Sequence, residues 1–173
     1  NILAMVGGRD FKKSKWNQII KLKPIFSSAI IINELLPKTK TYEVELNKKA
    51  KKRGMNVIGL ETIDYQINVL DQMSIEDQVE MLITEDMPRD PLAEYNELIE
   101  IYKQQDLKAM LELFYEDPSM LQYEEELLIK RNANWIPVIE KNIHKAPIFI
   151  AVGAMHLPGE YGVLKLLKEK GYK

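Results

Sequence analysis

The sequence predicts an α/β domain that is predominantly helical and contains few strands. Most of the chain carries apolar residues at helical spacing, whereas two short runs, about 55–60 and 147–152, are apolar and β-branched. A glycine separates the first run from the helix before it, an order typical of α/β proteins. With 173 residues and 46% hydrophobic content, we expect a single domain over residues 1–173.

The helical patterns before the first predicted strand have clear ends. Pro24 separates two of them, and the second apolar run extends from Ile25 to Leu36. An apolar stripe at intervals of four predicts an amphipathic helix over 41–53. Gly54 is expected to end that helix as its C-cap.

Helix start signals follow the first predicted strand. Thr62 is expected to cap one helix, and Ser74 with Asp77 three residues later predicts the start of another. Pro91 follows Asp90 and suits the first position of a helix. Further helices are predicted over 91–104, 106–115 and 119–130.

The last of these helices is expected to continue to Ile136. Pro137 lacks a backbone donor and its ring clashes with the carbonyl of Ala133, so a kink is predicted near Asn132 and Ala133. After the second predicted strand, leucines at helical spacing predict a terminal helix that Gly171 stops.

Two strands are too few for an independent sheet, because both of their edges would be exposed. We therefore expect a small sheet at 55–60 and 147–152 that a missing N-terminal part or another chain completes. Exposed strand edges also favour a homodimer.

Composition excludes several classes of protein. Charged residues make up 29% and the formal net charge is only -2, so nucleic acid is not an expected partner. The chain has no cysteine, which excludes disulfides and thiolate metal sites. Its longest apolar stretch is far shorter than the roughly 20 residues that span a bilayer, so no membrane span is expected.

Two polar residues follow the predicted strands. Glu61 lies just past the first strand and His156 lies a few residues past the second. Carboxyl ends of strands form the ligand crevice of open α/β sheets, so these residues can make a metal site or an acid/base pair. The alternative is that Glu61 caps a helix and His156 lies in a turn. Gly153 is expected to let the backbone turn sharply and aim the imidazole toward the strand end.

Arg131 and Asn132 form a second candidate element. A guanidinium fork and an amide on one helix suit a carboxylate, a peptide carbonyl or an oxyanion. The alternative is a buried structural arginine that satisfies backbone carbonyls. His144 lies at a helix end, where a favourable interaction with the helix dipole is the simplest expectation.

Three segments, in this order, resemble the TraB/GumN family: YEVELNKKAKKRGMNVIGLETIDYQ (42–66), Arg131-Asn132-x-x-Trp135 and VGAMHLPGEYG (152–162). The resemblance covers roughly residues 21–172. The family includes bacterial TraB and PrgY, linked to shutting off peptide pheromone, and the animal Tiki metalloproteases. It implies a fold like that of the erythromycin esterase (EreA) and ChaN groups.

The resemblance also implies a cleft built from two Gly-x-x-His motifs, a glutamate and an Arg-Asn pair. Glu61, Arg131, Asn132, Gly153 and His156 match those positions. Of these, Glu61, Arg131, Asn132 and His156 would be catalytic, and Glu61 and His156 would be the metal ligands. The implied cofactor is a divalent Mn, Co or Zn ion in the intact protein. The implied function is a metal-dependent, peptidase-like hydrolase, and the alternative is a non-catalytic module that sequesters a peptide or haem-like ligand.

The chain departs from the family because no first Gly-x-x-His precedes Glu61. A catalytic metal usually takes three protein ligands, so this chain is expected to bind metal weakly and to be a poor catalyst. A missing N-terminal segment would explain both this gap and the missing strands, so we expect a C-terminal portion of the domain. Because many relatives carry signal peptides, the expected location is the cell envelope or outside the cell.

Overall fold

A computed structural model of the chain describes residues 17, 19–35, 40–80, 91–116 and 118–173. Helices dominate these residues, as the sequence predicts. In chain order they are α1 Pro24–Leu35, α2 Tyr42–Lys52, α3 Ile63–Asp71, α4 Ile75–Glu80, α5 Pro91–Gln104, α6 Leu107–Tyr115, α7 Pro118–Leu121, α8 Lys130–Ile143 and α9 Val163–Glu169. A π-helical turn, Glu125–Ile129, runs directly into α8, and a short 3₁₀ turn, Ala154–His156, precedes α9.

The predicted end of α2 at Gly54 is confirmed. Gly54 has a φ of 64°, a left-handed conformation that glycine adopts without steric cost. Its N–H donates to the carbonyl of Lys51 at 3.1 Å, and the N–H of Met55 donates to that of Ala50 at 3.0 Å. These two bonds form a Schellman motif, which satisfies carbonyls that the helix end leaves without partners.

The predicted helix starts are also confirmed. Thr62 caps α3, because its hydroxyl accepts from the N–H of Tyr65 at 3.1 Å. The hydroxyl of Ser74 accepts from the N–H of Asp77 at 3.0 Å and donates to its carboxylate at 2.6 Å. Helix α5 begins at Pro91, whereas the proposed cap Asp90 lies outside the described residues.

The two segments expected to be strands, 55–60 and 147–152, are not strands in the structure. Both are irregular, and among the described residues no backbone hydrogen bond joins either segment to a neighbouring strand. The physical reason is that a strand forms only when a second strand completes its hydrogen-bond ladder. The predicted small sheet is therefore not confirmed, whereas the helical character is.

The long helix predicted from Ser119 also differs. Helix α7 ends at Leu121. The π-helical turn follows and distorts the hydrogen-bond ladder upstream of the predicted kink. Helix α8 continues past Pro137 to Ile143. An internal proline costs about 3 kcal/mol or more, and burial of apolar residues along α8 offsets that cost.

Two apolar clusters hold the described residues together. The first joins α3 and α6 to the π-helical turn through the buried residues Val69, Phe114, Leu127 and Leu128. The second joins α8 to α9 through the buried residues Trp135, Ile136, Ile139 and Val163. Because the π-helical turn and α8 are continuous, one helical rod contributes to both clusters. The irregular segments also reach the second cluster, where Leu60, Ile150 and Val152 pack.

The expectation that the chain has no membrane span agrees with the described helices. None of them is long and apolar enough to cross a bilayer. The helices α5 and α8 have 14 residues each, fewer than the roughly 20 that a span requires.

Candidate functional site

The structure brings the four predicted site residues together around the start of α8. Glu61 follows the irregular segment 55–60, and Arg131 and Asn132 lie in the first turn of α8. His156 ends the 3₁₀ turn before α9. Arg131 binds Glu61 and Asn132 binds His156, so the site consists of two adjacent pairs.

The first pair is a two-point ion pair between Glu61 and Arg131. The Nε of Arg131 donates to one carboxylate oxygen at 3.2 Å, and its Nη2 donates to the other at 2.7 Å. The side chain of Glu61 is only 9% exposed and that of Arg131 only 18%. Two parallel bonds of this kind are stronger and more directional than a single contact, so the position of Glu61 is fixed relative to α8.

Two further donors complete the environment of Glu61. The indole N–H of Trp135 donates at 3.0 Å and the amide of Gln66 donates at 2.7 Å. A carboxylate offers about four lone-pair directions, and the four bonds from Arg131, Trp135 and Gln66 fill them. In this arrangement Glu61 has no lone pair left for a further ligand.

Glu61 is ionised at neutral pH. Burial opposes ionisation, but the hydrogen bonds from Arg131, Gln66 and Trp135 and the charge of Arg131 outweigh it, so the pKa of Glu61 is lowered. The carboxylate is therefore a fixed negative charge that neutralises Arg131.

The second pair fixes the tautomer of His156. The Nδ2 of Asn132 donates to the backbone carbonyl of Tyr161 at 2.8 Å, so its Oδ1 faces the imidazole. The Nδ1 of His156 lies 2.7 Å from that oxygen. Because a carbonyl oxygen only accepts hydrogen bonds, Nδ1 must carry the hydrogen, and the lone pair is on Nε2.

His156 is largely buried, since only 7% of the residue is exposed. The hydrogen bond that joins it to Asn132 uses Nδ1, so Nε2 is the nitrogen left for a proton or a ligand.

His156 is neutral at physiological pH. Burial, reinforced by the positive charge of Arg131 and partly opposed by Glu61, lowers the pKa of His156 from 6.5 to about 4. A neutral imidazole with a defined lone pair can accept a proton or bind a metal ion.

Trp135 lies between the two pairs, and sequence reasoning assigned it no role. Its N–H binds Glu61, while its ring lies 4.4 Å from the ring of His156 between centroids. The guanidinium of Arg131 lies 5.2 Å from the centre of the indole ring. The signal was present in the sequence, because residues 131 and 135 are four apart and share one helix face.

The expected role of Gly153 is wrong. Its φ of -57° and ψ of 138° are accessible to any residue, so this turn does not require glycine. A Cβ at Gly153 would lie 3.5 Å from the ring of His156, an ordinary contact. Glycine is instead required at Gly162, where a Cβ would overlap the backbone carbonyls of Leu157 and Pro158.

His144 lies outside the site. It is the C-cap residue of α8, in agreement with its predicted place at a helix end, and its Nε2 lies 3.2 Å from the hydroxyl of Tyr172. It provides a natural control for His156, because these are the only two histidines in the sequence.

The described residues fit a metal ion only in part. His156 has features of a metal ligand, because it is neutral, its lone pair is on Nε2 and its other nitrogen donates to a carbonyl oxygen. Glu61 does not, because four donors occupy its carboxylate. Within the described ranges no group of three or more His, Cys, Asp or Glu residues is placed to hold a metal.

Comparison with known proteins gives one match. The model of the TraB/PrgY/gumN family matches residues 7–173. No curated protein and no solved structure matches the chain. The matched range contains all four predicted site residues and Trp135.

Proposed function

The chain belongs to the TraB/PrgY/gumN family, and we propose on that basis that it is part of a metal-dependent hydrolase that acts on peptide bonds. The observation that carries the proposal is the state of His156, a neutral imidazole whose lone pair is on Nε2 and whose Nδ1–H is held by Asn132. Metal-binding histidines typically have this second partner, which fixes the ring and its tautomer.

In this proposal His156 binds a divalent Mn, Co or Zn ion through Nε2, and Asn132 orients the ring. Such an ion would lower the pKa of a bound water and polarise a carbonyl group. The remaining ligands come from residues outside the described ranges or from another chain.

Arg131 serves substrate binding in the same proposal. A guanidinium has five N–H bonds. Glu61 accepts from Nε and from one N–H of Nη2, and the carbonyl of Leu127 accepts from one N–H of Nη1. Two N–H bonds of Arg131 are therefore unused by the described residues. Together with its 18% exposure, this suits Arg131 for stabilising a developing oxyanion, with Glu61 as its orienting counter-ion.

We further propose that 55–60 and 147–152 are neighbouring strands of an EreA/ChaN-like sheet when further strands are supplied. Leu60, Ile150 and Val152 support this proposal, because they pack against the same apolar cluster, which α8 and α9 form. Parallel strands placed there would direct Glu61 and His156 to one edge.

The test is calorimetric titration of Mn²⁺, Co²⁺ and Zn²⁺ into this chain and into the full-length gene product. We expect tight binding by the full-length protein, loss of binding in His156→Ala and unchanged binding in His144→Ala. Equal loss in both variants, or no binding by the wild type, would refute a metal site at His156. A protein that binds metal would then be assayed for peptide hydrolysis with and without chelator.

A second candidate function is stoichiometric binding of a peptide or haem-like ligand without turnover. Two observations favour it, the complete occupation of the carboxylate of Glu61 and the exposure of apolar side chains on the irregular segments. These side chains are Met55, Val57, Ile58, Ile148 and Phe149. Binding that a chelator does not change, with no product formed, would select this function over hydrolysis.

A further inference from the structure

Trp135 is the residue through which the two pairs of the site touch. Its N–H donates to Glu61 at 3.0 Å, across 74 positions of sequence. Its ring also packs on His156, with ring centroids 4.4 Å apart and an angle of 46° between the planes. Only 4% of Trp135 is exposed, so both contacts are shielded from solvent.

The indole itself is held by a closed set of three contacts. Arg131 binds Glu61, Glu61 accepts from the indole N–H, and the guanidinium of Arg131 lies 5.2 Å from the indole centroid. Arg131 and Trp135 are four residues apart on α8 and therefore lie on the same face. The orientation of the indole is thus fixed by a helix, a hydrogen bond and a cation–π contact.

Two contacts orient the imidazole of His156. The hydrogen bond from its Nδ1 to Asn132 holds one edge of the ring. The indole of Trp135 packs against the ring, with centroids 4.4 Å apart, and limits its rotation about the Cβ–Cγ bond. The direction of the Nε2 lone pair is therefore set by Asn132 and Trp135 together.

We propose that Trp135 is the positioning residue of the site, which uses its N–H to hold Glu61 and its ring to aim Nε2 of His156. An apolar side chain of similar size at position 135 would fill the same space in the core, but Glu61 would lose the hydrogen bond from the indole N–H. The importance of Trp135 for metal binding and hydrolysis rests on the proposed function. The effect of Trp135 on Glu61 and His156 does not depend on the proposed function, and it can be measured without an activity assay.

The hydrogen bond to Glu61 is tested by the NMR signal of the indole N–H. The chain has two tryptophans, so Trp16→Phe leaves a single indole signal, that of Trp135. We expect Glu61→Gln to shift this signal and to speed its exchange with solvent. Glu140→Gln, on the same helix, is the matched control and is expected to leave the signal in place. An indole signal that Glu61→Gln does not move would refute the proposed hydrogen bond.

The effect on His156 is tested by nitrogen NMR of the imidazole at pH 7 in Trp135→Phe and Trp135→Leu. The wild type should show a single tautomer with hydrogen on Nδ1. Phe keeps an aromatic face, so we expect the imidazole signals to stay sharp while metal affinity falls about tenfold. Leu removes the face, so we expect the imidazole signals to shift and broaden and metal affinity to fall about 100-fold. Circular dichroism establishes that each variant is folded.

Unchanged imidazole signals in a folded Trp135→Leu variant would overturn the positioning role. If that variant does not fold, the Phe variant and the Glu61→Gln comparison decide the question. A wild type that binds no metal would refute the proposed function instead. The indole and imidazole signals would still test Trp135 in that case, so the two failures are distinguishable.

Discussion

A single cation, Arg131, contributes to lowering the pKa values of both titratable site residues. Arg131 donates two hydrogen bonds to Glu61 and lowers the pKa of that carboxyl, against the opposing effect of burial. The same charge adds to burial in lowering the pKa of His156. An anionic carboxylate and a neutral imidazole therefore coexist beside one indole ring, which is the state that ligand binding through Nε2 requires.

The lowered pKa of His156 predicts a pH-dependent loss of stability in the metal-free chain. The pKa is about 4 in the folded state against 6.5 ordinarily, so between these values the unfolded chain binds a proton that the folded chain does not. The free energy of unfolding is therefore unaffected above pH 6.5 and falls as the pH falls from 6.5 to about 4. The full shift corresponds to about 3 kcal/mol, and the small solvent exposure of His156 reduces the expected loss of stability to about 2 kcal/mol.

Urea unfolding at several pH values, with chelator present, measures this loss. His156→Gln should flatten the pH dependence of the free energy of unfolding between pH 6.5 and 4. The lowered pKa of Glu61 adds a loss in the same direction as that carboxyl is protonated at lower pH. Identical slopes in the wild type and His156→Gln would contradict a buried neutral imidazole.

At the residue scale, the sequence predicted which side chains meet but not what each one does. Glu61, Arg131, Asn132 and His156 do lie together. The saturation of Glu61 was not predictable, because its donors come from α3 and α8 and depend on how these helices pack. Trp135 was overlooked because an apolar residue at helical spacing is ordinarily read as core.

At the scale of elements, two threonines at helix starts offer a matched test of capping. Thr62 accepts a hydrogen bond from the N–H of Tyr65, whereas Thr41, the N-cap of α2, makes no such bond with its side chain. We expect Thr62→Ala to lower the free energy of unfolding by about 1 kcal/mol, and Thr41→Ala to change it by a few tenths at most. Equal effects in chemical denaturation would show that the hydroxyl of Thr62 does not stabilise α3.

Gly153 and Gly162 are predicted to differ in how far they tolerate substitution by alanine. Gly153→Ala should be tolerated, with a change of about 0.5 kcal/mol or less, because its backbone angles are ordinary and its new Cβ has room. Gly162→Ala should cost more than about 2 kcal/mol, because the new methyl overlaps backbone carbonyls. It should also disturb Asn132, which binds the carbonyl of the preceding residue, Tyr161. Thermal unfolding of the two variants tests the order.

The sequence predicted helix ends better than strands, and the reason is physical. Helix ends depend on residues within a few positions, so Gly54, Thr62, Ser74 and Pro91 could be interpreted locally. A strand depends on a partner that can lie anywhere in the chain or in another chain. The composition of 55–60 and 147–152 predicts the tendency to pair, but it does not supply the partner.

At the scale of the whole molecule, the apolar surface of the irregular segments predicts self-association. Phe149 is 74% exposed within 147–152, and Ile63, at the start of α3, is exposed to the same degree. Covering a phenylalanine contributes about 1.5–3 kcal/mol, so Phe149→Ser should weaken self-association roughly tenfold or more. Ile63→Ser, on a helix with a complete hydrogen-bond ladder, should have little effect. Sedimentation equilibrium over a range of concentrations measures both, and equal effects would exclude a specific role for 147–152.

The π-helical turn preserves the phase of α8. Each π-type hydrogen bond spans one residue more than an α-type bond, so the helix carries an extra residue at Glu125–Ile129. Because the wider turn accommodates that residue, Arg131, Asn132 and Trp135 keep the orientation that a regular α-helix with one residue fewer would give them. One further residue in the regular helix between Lys130 and Arg131 would instead rotate everything after it by about 100°. The three side chains would keep their spacing, yet face away from Glu61.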